Sequence, residues 1–326
     1  MGKVKQEHIV PQCYLNMFTD DGKLNVYDKS KGEVRKNQAV CKIAKQKAFY
    51  DFSEEELVII KEIYPSVDDV QYIEKLFSND IEVGLKKCLD AIRMDKILQT
   101  EGVLAQLDDE FKMCLSVQMA YQFLRTKGLR GKLPEVPNTS VDFLQKLMLI
   151  DDNIIAQWAY YFNCFHWSVT VNKTAIPYYT SDNPVCIYNA VTNKLGLDAL
   201  NGHGFVIICY PYSPTVSVSL ALLEEDVILP SLVLEHKTEE QVKFLNALQY
   251  KNADNNVFTK ADMYDIKKII DSSNSFTKIK LSEQDSVKMD KIAQEVIQGL
   301  KDGYMDADRN SAIQMYILNM IKKLGM

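Results

Sequence analysis

Histidine is scarce in this chain, four in 326 residues, and His8 stands in the string HIVP close to the N-terminus. A His ahead of two apolar residues and a Pro suits a side chain that polarises water or binds a divalent cation through a neutral ring nitrogen. Some His-Asn-His nucleases carry a superficially similar string with a second His directly before it; here Glu7 takes that place and no downstream Asn-His signature follows. The competing reading makes His8 a tie to nearby backbone, with Val10, Tyr14 and Leu15 entering the core. The string TSDNPV, Thr180–Val185, is the second place where chemistry could sit. Asp182 at a strand end would offer a carboxylate as general base or metal ligand, flanked by Ser181 and Asn183 as substrate contacts. Asp and Asn also cap their own backbone in turns, and Pro184 fixes the next φ, so a capped turn explains the same residues. Ser181 lacks a Gly-x-Ser-x-Gly elbow, which argues against a Ser-His-Asp hydrolase.

Gln122 and Arg125 lie three apart in QFLRT, on one face of a helix. The planar guanidinium suits carboxylate or phosphate. Just beyond, RTKGLRGK gathers Arg125, Lys127, Arg130 and Lys132 around two glycines, the strongest local anion site in an acidic chain. Alternatively, Arg125 pairs with a buried acid, Asp182 or Glu82, and locks helix to sheet, leaving the lysines as solvated loop charges. Glu82 sits in NDIEVGL, where Ile81, Val83 and Leu85 leave no single polar face. Turned inward it needs a partner, and Arg125 or His8 would serve; turned outward it makes an ordinary helix pair with Lys86.

These side chains must be held by a folded scaffold, and the composition supplies one. With 47% hydrophobic and 25% charged residues the chain reads as globular rather than disordered. A net charge of −6 argues against broad wrapping of nucleic acid, while leaving room for a local basic cleft. Seven cysteines form no CxxC pair, so neither a zinc knuckle nor a disulfide framework is indicated. The N-terminus lacks a signal-peptide core, and no uncharged run approaches the ~20 residues of a spanning helix; the expectation is a cytoplasmic protein. Walker and Gly-x-Gly-x-x-Gly loops are absent. NGHGF reads as a turn with His203 facing solvent, and the aromatic run WAYYFNCFHW as core rather than a base-stacking platform.

KLNVYDKSKGEVRK alternates like a hairpin turning at Lys29–Gly32. A helix is expected over Glu54–Ile63, with Ser53 as N-cap and Glu56 completing a capping box. Helical spacing continues over Val70–Ile92, through Leu124, and along SVDFLQKLMLIDDNIIAQWAYYF as one long helix. From Phe165 the period becomes strand-like in FHWSVTV, IPYYTSD, GFVIICYPY and TVSVSLALL; a helix near Thr238–Tyr250 and a helical tail follow. The predicted class is α+β, with a mainly helical N-terminal half, a mixed or antiparallel sheet in the middle and a helical C-terminal tail. Residues 1–260 would form one domain, and 261–326 a helical extension packed on it.

Several strings, taken in order, resemble a bacterial and archaeal family known as domain of unknown function DUF4238. EHIVPQCYLNMF is similar to its leading motif, and this resemblance adds Gln12 to the substrate-binding candidates. KIAKQKAFYDF, SNDIEVGLKK with Glu82, QFLRT with Gln122 and Arg125, and YYTSDNPV follow in the family's order. YPYSP departs from the usual Pro-Leu-Ser-Pro at Tyr212, and LNALQYKNADNNVFTK closes the pattern with Asn246. The resemblance covers roughly residues 5–260 and brings no established reaction.

Two expectations about function result. In the first, a hydrolase acts on a phosphate-bearing substrate such as nucleic acid or nucleotide, assisted by a divalent cation (Mg or Mn), as in a microbial defence effector or toxin. His8, Glu82 and Asp182 are then catalytic, and Gln12, Gln122, Arg125, Lys127, Arg130, Ser181 and Asn183 bind substrate. In the second, the same polar residues form a buried structural network in a non-catalytic binding or scaffold protein. Its C-terminal helices would carry a homo-oligomer or partner contact. A site needs partly unpaired polar groups, whereas a structural network should be closed and fully hydrogen-bonded.

Overall fold

Glu7 and His8 open the structure as the short strand β1 (Glu7–His8), and the chain turns at Pro11 into the single-turn helix α1 (Gln12–Leu15). This computed structural model describes residues 6–93, 109–137, 139–200, 206–221, 232–236, 238–262, 266 and 269–271. The expected hairpin follows. β2 (Lys23–Asp28) and β3 (Glu33–Ala39) pair antiparallel, and Gly32 takes the left-handed φ of +67° that the turn requires. β4 (Lys45–Gln46) then pairs with β1 and fixes the backbone of His8 opposite Lys45.

α2 (Glu54–Ile63) starts where the capping box places it: Ser53 Oγ accepts from Glu56 N at 3.1 Å, and Glu56 Oε2 accepts from Ser53 N at 2.8 Å. The Val70–Ile92 stretch is not one regular helix. α3 (Tyr72–Leu76) widens into a π-turn over Phe77–Ile81 before α4 (Glu82–Arg93) begins. α5 (Asp109–Leu124) and the short α6 (Lys127–Arg130) come next. The single helix expected after Ser140 is two, α7 (Val141–Ile150) and α8 (Asp152–Asn163). Asp151 explains the break: it leaves helical geometry, and its carboxylate accepts from Asn153 N at 2.9 Å and Ile154 N at 3.4 Å, capping a new helix.

The strand-rich region supplies β5 (His166–Asn172), β6 (Thr180–Ser181), β7 (Cys186–Asn189), β8 (Lys194–Leu195), β9 (Val206–Pro211), β10 (Val216–Ala221) and β11 (Leu232–His236). α9 (Glu239–Asn252) and β12 (Asn256–Thr259) follow. Six strands form a mixed sheet in the order β11-β5-β10-β9-β7-β8, in which only the β11–β5 pair is parallel. A second sheet runs β3-β2-β12-β6 and joins the N-terminal hairpin to residues far along the chain. Strands are therefore spread through the sequence rather than confined to its middle.

Helices and sheet share one continuous apolar core. Phe123 of α5 meets Trp158 of α8 at 4.8 Å between ring centres, and Trp167 of β5 donates its indole N–H to Phe162 O at 3.2 Å. The aromatic run beginning at Trp158 is thus packing material, with Tyr160 alone among its rings turned to solvent. Buried Lys146 of α7 ties that helix to α2 through Glu56 Oε2 at 3.0 Å and pairs with Asp142 at 2.6 Å. Ile266 and Ile269 pack with Tyr179, Ala247 and Val257, so the start of the C-terminal extension lies against α9 and β12. The remainder of the expected helical tail, and His203, fall outside the described residues. No helix among the described residues is long and apolar enough to cross a membrane.

Because Ser53 satisfies an otherwise unpaired N–H at the start of α2, Ser53→Ala should cost about 1 kcal/mol of unfolding free energy. A urea titration should show this as a lower midpoint with an unchanged slope.

Candidate functional site

α5 ends at Leu124 because Thr126 caps α6, its Oγ1 accepting from Leu129 N at 3.3 Å. Arg125 sits in that break, and its side chain runs inward until only 1% of the residue is exposed. One guanidinium N–H donates to the carbonyl oxygen of His8, and Nε donates to Tyr50 Oη at 3.3 Å. Tyr50 in turn donates its hydroxyl to Arg125 O at 2.9 Å. Nη1 stands 3.6 Å from Glu82 Oε1, and the guanidinium lies 4.0 Å over the ring of Phe77. Of the two buried acids that the sequence offered as partners, Glu82 is the one used. Arg125 thereby holds β1, the segment around Tyr50, the π-turn and the start of α4 in one arrangement.

Acids crowd around this cation. Glu7, fully buried, accepts from Tyr50 N at 2.7 Å. Burial and a hydrogen bond with Asp51 push its carboxyl up to about 8. It is therefore protonated at neutral pH, and Asp51 accepts from Gln71 Nε2 at 3.1 Å. Burial raises Glu74 to about 7 against the pull of Arg125, with Glu82 and Asp51 adding repulsion. His8 goes the other way. Burial, with the positive charges of Lys45 and Arg125, lowers it to about 4, so its ring is neutral. Both ring nitrogens are enclosed with no hydrogen-bond partner in the protein. The Glu82 side chain is 27% exposed and forms the solvent-facing edge of the group.

α5 contributes a polar stripe to the same interior. Gln118, Gln122 and Arg125 follow one another at four- and three-residue steps on one helix face. Both amide atoms of Gln122 and the Oε1 of Gln118 are buried without partners. Gln118 lies against α4 where Gly84 leaves room: a Cβ on Gly84 would fall 2.7 Å from Gln118 Nε2. α1 closes another side, with Cys13 Sγ 3.9 Å from Glu82 O and half-buried Gln12 next to it in sequence. Tyr210, stacked on Tyr14 at 5.2 Å, and Tyr212 bring two more unpartnered hydroxyls, in electrostatic reach of Cys88 between α1, α4 and β9. Each buried polar atom left unpaired costs about 1–3 kcal/mol. Buried water or a bound ligand is what answers such atoms inside a folded protein. Glu7, Glu74, Gln118, Tyr210 and Tyr212 are the members of this group that sequence reasoning missed. Gln118 alone carried a signal, one helical turn before Gln122.

TSDNPV has a different environment. Asp182 Oδ1 accepts from Asp254 N at 2.9 Å; Oδ2 accepts from Asn255 N at 3.0 Å, Asn256 N at 2.8 Å and Asn256 Nδ2 at 3.2 Å. Ser181 donates to Gln249 Oε1 at 2.9 Å, and Asn183 Nδ2 donates to Asn252 O at 3.2 Å. This is a clamp between β6 and the turn from α9 into β12. Asp182 makes no hydrogen bond with His8, Glu82 or Arg125.

The cations of RTKGLRGK do not converge either. Arg130 pairs with Asp142, donates to Gln145 Oε1 at 2.5 Å and Phe49 O at 2.9 Å, and lies 3.6 Å over the Phe49 ring, joining α6 to α7. Lys132 pairs with Asp198, and Lys127 is exposed. Among the described residues no group of three or more His, Cys, Asp and Glu side chains is arranged to hold a metal. Around His8, moreover, Lys45 and Arg125 present the same sign of charge as a metal ion. The donor set there does not fit a resident divalent cation.

The two networks respond differently to mutation and pH. Asp182→Ala strands several buried N–H groups and should lower stability by about 3 kcal/mol, seen as a clear drop in melting temperature. The folded Glu7 carboxyl keeps its proton up to about pH 8, whereas an unfolded one loses it near 4.5. The stability it contributes is full below the unfolded value and is lost as pH rises through the folded one. Glu7→Gln stays neutral, so its stability relative to wild type should improve by about 2 kcal/mol or more between pH 5 and pH 9 in urea titrations.

No curated protein and no solved structure matches the chain. The family profile described as protein of unknown function (DUF4238) matches residues 6–142 and 134–263, a span containing β1, Glu82, Arg125, the TSDNPV clamp and β12, and the chain belongs to that family.

Proposed function

We propose that the protein is a hydrolase of a phosphate-bearing substrate, a nucleotide or nucleic acid, with its reaction centred on His8 and Glu82. The observation that carries this reading is the collection of enclosed, unpartnered polar atoms on His8, Gln122 and Gln118 beside an anchored Arg125–Glu82 pair. His8 is a neutral imidazole, the form that can take a proton from water as it attacks phosphorus. Glu74, with a pKa raised to about 7, is the neighbouring carboxyl suited to returning a proton to the leaving oxygen. Burial first, and then the positive potential of Lys45 and Arg125, depress the His8 pKa, and that potential is what a phosphate would meet. Arg125 acts as a positioning residue, since its donors are committed to His8 O, Tyr50 and Glu82. No step needs a metal.

A second reading, the non-catalytic scaffold, is favoured by one feature: the Asp182 carboxylate is closed by four donors, as a structural network should be. The two readings part on activity. The full chain should hydrolyse mononucleotides, oligonucleotides or nucleic acid in the presence of EDTA. His8→Gln should lose at least ~100-fold in kcat/KM with a melting temperature close to wild type. Glu82→Gln should lose as much while also melting lower, because it leaves the buried Arg125 charge without its carboxylate. Hydrolysis retained by His8→Gln, or no turnover of any of these substrates by the wild type, would sink the enzyme reading and leave the scaffold.

A further inference from the structure

α4 and α5 meet along one stripe. Gly84 leaves room there for Gln118, since a Cβ on it would fall 2.7 Å from Gln118 Nε2. Four positions later on α4 stands Cys88, and four positions earlier on α5 stands Cys114. The second pair therefore lies one turn from the first, on the same two faces, as the helices pass in opposite directions. At that crossing the two Sγ atoms are 3.0 Å apart, hydrogen-bonded as free thiols. A disulfide needs about 2 Å, so bonding asks for about 1 Å of approach between side chains that already face each other.

The two sulfurs differ in what can reach them. Cys88 is 3% exposed, while Cys114 is half-buried and follows the exposed Met113 on α5. Burial, and then the hydrogen bond with Cys114, push the Cys88 thiol up, so it keeps its proton at neutral pH. Cys114 is the sulfur that a small oxidant meets first. The unpartnered hydroxyl of Tyr212 lies in electrostatic reach of both sulfurs, so an oxygen arriving there does not face a wholly apolar wall. Cys186 and Cys209 make the contrast. They sit opposite each other on β7 and β9, but both are sealed in the core, and Cys186 directs its thiol to Leu248 O at 3.9 Å.

We propose that Cys88 and Cys114 form a modification site, which hydrogen peroxide converts to a reversible disulfide between α4 and α5. Cys114 Sγ attacks one peroxide oxygen, the O–O bond breaks, and the departing hydroxide leaves as water with the thiol proton. Cys88 Sγ then attacks the sulfenic sulfur of Cys114; the S–O bond breaks, and hydroxide leaves with the Cys88 proton as a second water. The two thiols give up two electrons and the peroxide takes both. Because α4 begins at Glu82 and α5 leads into Arg125, the cross-link fixes the two helices that carry that ion pair. The site goes beyond the proposed hydrolysis and stands whether or not the chain turns over a substrate.

Treating the reduced full chain with hydrogen peroxide, blocking the remaining thiols with iodoacetamide and mapping tryptic peptides tests it. One cross-link should appear, joining Cys88 to Cys114. The oxidised chain should melt about 5 °C higher, since the bond closes 26 positions of chain. Dithiothreitol should reverse both changes. Cys114→Ser should abolish the cross-link and the shift while melting as the reduced wild type does. Cys88→Ser should leave Cys114 as a sulfenic acid that dimedone labels. No cross-link in the wild type, a cross-link joining any other pair, one that survives Cys114→Ser, or an oxidised chain that melts no higher would each overturn the assignment.

Discussion

A single buried guanidinium organises the half of the molecule that holds His8, Tyr50, Phe77 and Glu82. An ion taken from water into a protein interior costs several kcal/mol unless its donors and its charge are answered locally. Arg125 is answered by a backbone carbonyl, a phenol, a carboxylate and an aromatic face, each from a different element. Because those elements must all reach one point, the positions of His8 and Glu82 follow from the charge of Arg125 and not from local propensity. Burial sets protonation around it, and the same cation adds to that effect at His8 and opposes it at Glu74.

Two polar networks coexist, and their difference is one of completeness. The clamp at Asp182 fills its acceptor positions with backbone and side-chain donors from the turn after α9, and so joins β6 to β12. The group around His8, Gln118 and Gln122 leaves acceptors and donors unspent inside the fold. Such a group lowers stability, and proteins keep costs of this kind where polar groups must meet something other than the protein itself. Charge follows the same division: Glu7 and Glu74 are shifted towards neutrality, which lessens the repulsion within a crowded carboxylate cluster.

Local signals were read well from the sequence and distant ones poorly. Ser53 and Glu56 are three residues apart and lie where the capping box was expected, and Gly32 turns the hairpin where the pattern broke. Asp151 was misread because an Asp in an apolar-periodic run looks like a surface helix residue until its side chain is seen to cap. Glu7 had counted only as a missing histidine, yet it is the most enclosed acid beside Arg125. Cys88 and Cys114, 26 positions apart on different helices, meet where no spacing rule connects them. His8 and Arg125 meet across 117 positions. The blocks that resembled a family located the right strings, but whether each block joined a closed clamp or an open group depended on partners elsewhere in the chain.

The π-turn at Phe77–Ile81 sets the phase of α4. Glu82 N bonds back five residues to Phe77 O, so this stretch holds one residue more than a regular helix would at the same length. Each residue advances an α-helix by roughly 100°. If the same residues closed into a regular α-helix running from α3 into α4, everything from Glu82 onward would be rotated by about that angle relative to Phe77. Gly84 would no longer face Gln118, and Glu82 would swing off Arg125 while Phe77 stayed beneath it. The widening of this turn, more than the identity of its residues, decides which side of α4 looks inward.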